Sequence, residues 1–342
     1  MRKSKDMPYH IGLKVKLYLS YQQKHIVAVN DGVKRSVYNL LVSASNEKYR
    51  LSKTAPYCPT DRNRLDYIFS VVSSTAGIKN ALPYLNEEDV DSLAVDNAVR
   101  NYRTAWKNQK ERHTGAPTFK KKSYEQSYQT NAHYYKNSLG HEVSNVRFED
   151  TSHVILPKLG RVRIGGSPKL IRSLINRDAD TRIGTITISR DSAGEYWASF
   201  QIASEKPFRN ELKKTGSKIG IDLNLLELTN DSNGDSAANM RYYKNSADKL
   251  TKAQHKLSRM QEHAKKDGRP LRASKNYQKQ RLKVAKIHRT VSRQREDYLH
   301  NLSKQKVESQ DFIAVEDLKV RNLLKNHCLA GAITDAGWRK FL

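Results

Sequence analysis

Two short apolar runs that carry acids constrain this chain more than any other feature. The first is Ile219-Gly220-Ile221-Asp222-Leu223, and the second is Phe312-Ile313-Ala314-Val315-Glu316-Asp317-Leu318. Both are short, apolar and β-branched, as fully buried strands are. A carboxylate inside such a strand needs a partner, because an unpaired charge is costly in apolar surroundings. A metal ion or a neighbouring lysine can be that partner. Hard cations such as magnesium take oxygen ligands. Two carboxylates on two strands of one sheet can share a pair of ions that activates water and stabilises the leaving oxygen of a phosphodiester. Asp222 and Glu316 are therefore the candidate catalytic and metal-ligating residues. Strand side chains alternate between faces, so Asp317 cannot join Glu316 in that role. After the first run, Asp231-Ser232-Asn233-Gly234 signals a tight hairpin turn, since Asn and Gly tolerate positive φ.

Between the runs lies a basic segment. From Lys249 to Lys306 there are eighteen Lys+Arg and four Asp+Glu, a net of +14. Leu250, Ala253, Leu257 and Met260 have helical spacing. Tyr277, Val284, Val291 and Tyr298 recur every seven residues with Ile287 between them, and Asp267-Gly268-Arg269-Pro270 breaks the pattern. The expectation is a helical hairpin with an apolar seam and basic outer faces. A solvated coiled coil shares this seam, but solvated surfaces mix signs. The excess favours a polyanion, with Lys283, Lys286, Arg289 and Arg293 as outer-face contacts. The 342-residue chain carries a formal net charge of +27. Its pI of about 9.9 points to nucleic acid or an anionic surface. No run approaches the ~20 apolar residues of a spanning helix, and the start Met1-Arg2-Lys3-Ser4-Lys5-Asp6 is not a signal peptide. A cytoplasmic, nucleoid-associated protein with no membrane partner is expected. Cys58 and Cys328 form no motif, and two thiols cannot complete a four-ligand zinc site.

Elsewhere, Tyr9–Leu19 reads as a strand. Apolar residues over 22–30 and 34–43 are split by Asp31-Gly32, which suggests two short helices in helix-turn-helix geometry. Arg64–Val72 reads as a helix. Asn86 reads as the N-cap of another, which runs through Val90, Tyr102 and Trp106 to a stop at His113. Gly115-Ala116-Pro117-Thr118-Phe119-Lys120-Lys121-Lys122, with Tyr128 behind, places lysines beside aromatics. Lys120, Lys121, Lys122 and Tyr128 suit an RNA strand, with charge for phosphates and ring faces for bases. A solvated loop with a buried Phe119 is the other reading. From 143 to 203 the pattern turns to β. Its clearest hairpin turns at Asp191–Gly194 and returns with Tyr196, Ala198, Phe200 and Ile202 on one face. With the N-terminal strand it should close a small barrel, and Lys206–Ser217 reads as a linker.

Six fragments resemble the TnpB family, the OrfB-type transposases of bacterial insertion sequences. They are Gly-Ile-Asp-Leu-Asn-Leu at 220–225, Lys-Leu-Ser-Arg at 256–259, Arg-Glu-Asp-Tyr-Leu-His-Asn-Leu-Ser at 295–303, Val-Glu-Asp-Leu-Lys-Val at 315–320, Leu-Lys-Asn-His-Cys-Leu-Ala at 324–330 and Ile-Thr-Asp-Ala-Gly-Trp at 333–338. The Gly-Ala-Pro-Thr-Phe-Lys segment at 115–120 is similar to the family's as well. The resemblance implies an RNA-guided, magnesium-dependent DNA endonuclease with a RuvC-like site, related to the type V CRISPR nucleases. Its partners would be a guide RNA from the mobile element and target DNA.

The implied fold class is mixed α and β in several domains. A wedge-type small β-barrel at 1–21 and 111–210 would carry a helical recognition lobe at 22–110. A partial RNase H-like (RuvC) domain with the basic hairpin would follow at 216–342. Asp222 matches the family's first catalytic acid and Glu316 its second. Asn224 stands where the family usually has Gly. The family continues into a zinc ribbon of two Cys-x-x-Cys pairs and a third acid in an Asp-x-Asn-Ala-Ala motif, and neither occurs before Leu342. The expectation is an RNA-guided DNA endonuclease whose metal site is incomplete in this sequence, so that these residues alone would bind nucleic acid without cutting it. The alternative is a non-catalytic RNA- or DNA-binding remnant of such a protein. Asp335 lies in a segment that is not the family's catalytic acid and is not taken as a substitute. Trp338, Phe341 and Leu342 are expected to form an exposed apolar patch.

Overall fold

The computed structural model describes residues 4–177, 180–209 and 211–342. Met1–Lys3, in the start read above as no signal peptide, and Asn210, in the expected linker, lie outside the described residues, as do Asp178 and Ala179. The chain divides after Phe208 into two units.

In the N-terminal unit β1 (Tyr9–Tyr18) leads into helices α1 (Tyr21–Leu51), α2 (Pro59–Val72), α3 (Thr75–Ala81) and α4 (Ser92–Arg112). Strands β2 (Gln126–Asn131), β3 (Tyr134–Lys136), β4 (Glu142–Ser144), β5 (Arg147–Asp150), β6 (His153–Leu156) and β7 (Gly160–Gly165) follow, then α5 (Pro168–Ile175), β8 (Thr181–Arg190) and β9 (Tyr196–Ser204). Seven strands form one antiparallel sheet in the order β2-β8-β9-β1-β7-β6-β5. Alternation buries Leu13, Val15 and Leu17 of β1 with Tyr196, Ala198, Phe200 and Ile202 of β9, and Leu19, Ile26 and Val27 pack on them.

Three expectations for this unit are corrected. The sheet is open, not a barrel, because its end strands β2 and β5 do not pair. The free edge of β2 is bonded by helix side chains instead. Asp31 accepts from the Ser127 N–H at 3.1 Å, Asn97 donates to the Gln129 carbonyl at 3.1 Å, and Lys34 donates to the Ser127 carbonyl. A covered edge has no groups left to close on. Second, Asp31-Gly32 does not split a helix-turn-helix, since α1 runs unbroken for 31 residues. A mid-helix glycine costs about 1 kcal/mol, which burial of Val27, Val33, Val37 and Leu41 on both sides of it offsets. Asp31 is buried to serve β2 and Arg35, not to end a helix. Third, the N-cap of α4 is Asp91, whose carboxylate accepts the Leu93 N–H at 2.9 Å, while Asn86 ends a 3-10 turn.

The C-terminal unit contains β10 (Lys218–Leu223), β11 (Glu227–Asp231), β12 (Ser236–Ala238), α6 (Tyr242–Lys266), α7 (Lys275–Ser309), β13 (Phe312–Val315), α8 (Val320–Leu323), α9 (Ala330–Ala336) and α10 (Trp338–Phe341). Its sheet order is β12-β11-β10-β13, with β10 and β13 parallel. Parallel neighbours need a long crossover, and the basic hairpin α6–α7 is that crossover. Leu250, Ala253 and Ile287 form its seam, and Gln280 donates across it to the Ala253 carbonyl at 2.8 Å. Ile219, Ile221 and Leu223 pack on Leu299, Ile333 and Trp338. Trp338 is thus buried core, not part of an exposed patch, though Leu342 is exposed.

Candidate functional site

The register of β10 and β13 pairs Gly220 with Ala314 and Ile221 with Val315. One residue further along, Asp222 and Glu316 stand side by side. Alternation turns Ile221 and Leu223 inward and leaves Asp222 on the opposite face. Asp222 and Glu316 line one shallow groove of about 580 Å³ with Gly220, Asp231 and Ser232. Both acids are exposed. The sequence argument from burial therefore fails, because β10 is packed on one face only and β13 is an edge strand. Their juxtaposition remains, and so does their electrostatics: among the described residues neither side chain has a hydrogen bond or ion pair. No group of three His, Cys, Asp or Glu that could hold a metal occurs among the described residues.

Asp231 shares the groove but is held. Its side chain is 1% exposed and meets Lys306 Nζ at 2.5 Å. It also accepts the N–H of Asn233 at 3.0 Å and of Asp235 at 2.9 Å, which builds the turn where Gly234 takes φ +86°. Lys306, then these N–H groups, hold its pKa below the usual carboxylate range. Asp335 is held too. It accepts the N–H groups of Tyr243 and Lys244 at 2.8 and 3.0 Å and meets Arg295 at 3.0 Å. Arg241, the N-cap of α6, makes no side-chain cap bond, so Asp335 of α9 satisfies the orphan donors of that first turn. Gly337 follows at φ +73°, where a Cβ would lie 2.9 Å from Arg295 Cδ. The Asp-Ala-Gly-Trp stretch is therefore a clamp, a turn and a core residue in succession.

The proposed RNA contacts divide. Lys120, Lys121 and Lys122 are exposed, as is Phe119 at 55%. Lys120 is pinned to α1: its N–H donates to Asn39 at 2.8 Å, and its ammonium lies 3.8 Å from the Tyr38 ring centre. Burial, then Lys34, pushes its pKa down. Tyr128 is corrected. Its ring is fully buried in the sheet core, with no face for a stacked base, and burial raises its hydroxyl pKa. The alternation of β2 carried that information, because Tyr128 and Thr130 share the inward side. On α7, Lys283, Lys286 and Arg293 are exposed and Arg289 is half-buried. Lys249 and Lys279, which the sequence reading did not single out, line one groove with Lys283 and Lys286. The signal was the spacing 279, 283, 286 along one helix face.

Residues 199–327 match the family OrfB_IS605, described as "Probable transposase". The match spans β10 to α8, with both acids and the whole basic hairpin. A Streptomyces pristinaespiralis protein named "Putative RNA-guided DNA endonuclease" is 28% identical over 279 residues, covering 81% of this chain and 61% of that protein. "Putative RNA-guided DNA endonuclease InsQ" of Escherichia coli K12 is 25% identical over 307 residues, covering 90% of this chain and 65% of that protein. A solved structure titled "Cryo-EM structure of the Cas12f1-sgRNA-target DNA complex" aligns with a TM-score of 0.44 and 12% identity over 97% of this chain and 87% of that one. Over residues 199–327 the chain is similar to the OrfB, or TnpB-type, transposases, and over most of its length to these two curated relatives. It spans under two thirds of the length of these curated relatives.

Proposed function

We propose that this protein acts in RNA-guided cleavage of DNA, with Asp222 and Glu316 as ligands of a divalent metal and the α6–α7 hairpin holding nucleic acid. One observation carries the reading. Two carboxylates without protein partners, Asp222 on β10 and Glu316 directly after the parallel β13, line one groove and are joined through a crossover that carries a segment of net charge +14. The donor set fits magnesium, which is held by one or two carboxylates with waters and substrate phosphate oxygens completing its shell. Asp231 is committed to Lys306 and the turn, so it is not counted as a ligand. A bound ion would supply an activated water and charge stabilisation at the leaving oxygen. The chain's own part is to fix the two carboxylates by strand register and to leave them without protein partners. The names of the relatives support RNA as the guide and DNA as the target. RuvC-like chemistry rests on the match of Asp222 and Glu316 to the family's first two acids.

The test is cleavage of a target duplex by the purified chain with guide RNA and magnesium. Cutting should require the metal and disappear in Asp222→Ala and in Glu316→Ala, while RNA affinity stays within about twofold. Cutting that persists in both variants would overturn the assignment of the site. Absence of metal-dependent cutting would overturn the proposed activity.

A further inference from the structure

The C-terminal unit contains a second groove, on its basic hairpin rather than its sheet. It lies between α6 and α7, with a volume of about 460 Å³. Lys249 enters it from α6, and Lys279, Lys283 and Lys286 from α7. The three α7 lysines are spaced i, i+4, i+7, so they lie along one helix face. Leu282 and Ile287 line the groove, and Ile287 is 8% exposed in the hairpin seam. No carboxylate lines it.

We infer that this groove cradles successive phosphates of a nucleic-acid strand through Lys249, Lys279, Lys283 and Lys286. The inference rests on the nucleic-acid reading above and adds the place and the residues. Its first support is the state of the lysines. Among the described residues none of the four makes a hydrogen bond or ion pair. Some cations elsewhere in the unit are held by carboxylates, among them Lys306 by Asp231, Arg295 by Asp335 and Lys340 by Glu296. Four unpaired ammonium groups around one groove repel each other, and an anion removes that repulsion. The second support is the wall. Apolar side chains beneath charges of one sign focus the field into the groove. The third is length. Seven residues of helix rise about 10 Å at 1.5 Å each. A nucleic-acid strand presents one phosphate per roughly 3.4 Å of duplex axis. The row is therefore long enough to meet more than one phosphate of a strand rather than a single isolated ion. Arg289 and Arg293 are not among the lining residues, so the outer-face quartet expected from the sequence splits into two pairs with different roles.

The experiment uses the full chain and two fluorescent probes, a single-stranded RNA and a DNA duplex of about 20 nucleotides or base pairs. Each is titrated at several salt concentrations. Lys249→Gln/Lys279→Gln is compared with Arg289→Gln/Arg293→Gln, since Gln keeps helix propensity close to that of Lys and Arg. The lysine pair should weaken binding at least tenfold at low salt. It should also flatten the slope of log K against log salt by about 0.7–0.9 per lost contact. The arginine pair should do less of both. Lys249→Arg/Lys279→Arg should recover the slope, which a merely misfolded variant would not reveal. The probe that loses more affinity identifies the strand in the groove as RNA or DNA. If the wild type binds with a steep salt slope and the lysine pair leaves affinity and slope unchanged, the groove is not the cradle, though the nucleic-acid reading stands. If the wild type ignores both probes and binds anionic phospholipid vesicles instead, that reading falls and the inference falls with it.

Discussion

Two acidic regions of the C-terminal unit are built on opposite plans. At Asp335 the carboxylate is 6% exposed and receives two backbone N–H groups and a guanidinium. At Asp222 and Glu316 the carboxylates are exposed, adjacent, and unpartnered among the described residues. The first plan satisfies a charge within the protein and so fixes three helices to one another. The second leaves two like charges together, which the fold alone gives no reason to do. An acid that the protein has already neutralised organises structure. A pair that it has left open is available to a cation from outside.

Breaking the closed clamp should give the largest effect. Asp335→Ala leaves Arg295 buried without its partner and uncaps α6. Removing one member of a buried charged pair costs about 3–5 kcal/mol. Urea denaturation should show a loss near the low end of that range, because Arg295 is 15% exposed and retains some water. Asp335→Asn keeps one acceptor and should cost about half as much. A loss below about 1 kcal/mol in Asp335→Ala would mean that the clamp does not hold the helices, and the contrast with the open pair would lose its meaning.

Much of this was legible in the sequence, and the reasons are specific. The seven-residue recurrence of Tyr277, Val284, Val291 and Tyr298 announced the long α7, because a seam of that period needs a partner helix. Asn233-Gly234 announced its turn through backbone sterics. The acid pair was found for a partly mistaken reason: the runs looked fully buried, but β13 is an edge strand with Phe312 58% exposed. Strand composition cannot tell an edge from a centre when the strand has only four residues. Asp31-Gly32 misled because local propensity was outweighed by an acid needed at the edge of β2, a contact spanning 96 residues. Asn86 lost to Asp91 because capping chemistry is shared by several residues in that stretch. Tyr128 was misplaced by its basic neighbours, although its own strand alternation pointed inward.

A smaller effect should come from acid. Asp231 has its pKa lowered by Lys306 first, then by the N–H groups of Asp235 and Asn233. Asp311 has its pKa lowered by the N–H groups of Thr215 and Gly216. A depressed folded-state pKa adds stability that is complete above the unfolded value, about 4 for aspartate. That stability is lost as pH falls through the folded value. The C-terminal unit should therefore keep its stability down to about pH 4 and lose it progressively below. Asp231→Asn should be less stable at neutral pH and show a shallower acid decline. An unchanged decline in that variant would remove Asp231 from the account.

The smallest effect should come from the open pair itself, and its sign is the informative part. Exposed substitutions away from special contacts usually stay within about 0.5 kcal/mol. In metal-free buffer Asp222→Asn and Glu316→Gln should fall in that range and on the stabilising side, because each removes one of two neighbouring like charges. Magnesium should reverse the ranking. A ligand that binds only the folded state stabilises it by RT ln(1 + [L]/Kd), about 1.4 kcal/mol when its concentration is ten times Kd. The wild type should gain thermal stability as magnesium rises into the millimolar range, and both variants should gain much less. Lys306→Gln frees Asp231 from its ion pair without touching the open pair, so its magnesium response should stay at least as large as the wild type's. Equal magnesium responses in the wild type, Asp222→Asn and Glu316→Gln would show that the ion binds elsewhere, and the open pair would then be two surface acids brought together by strand register alone.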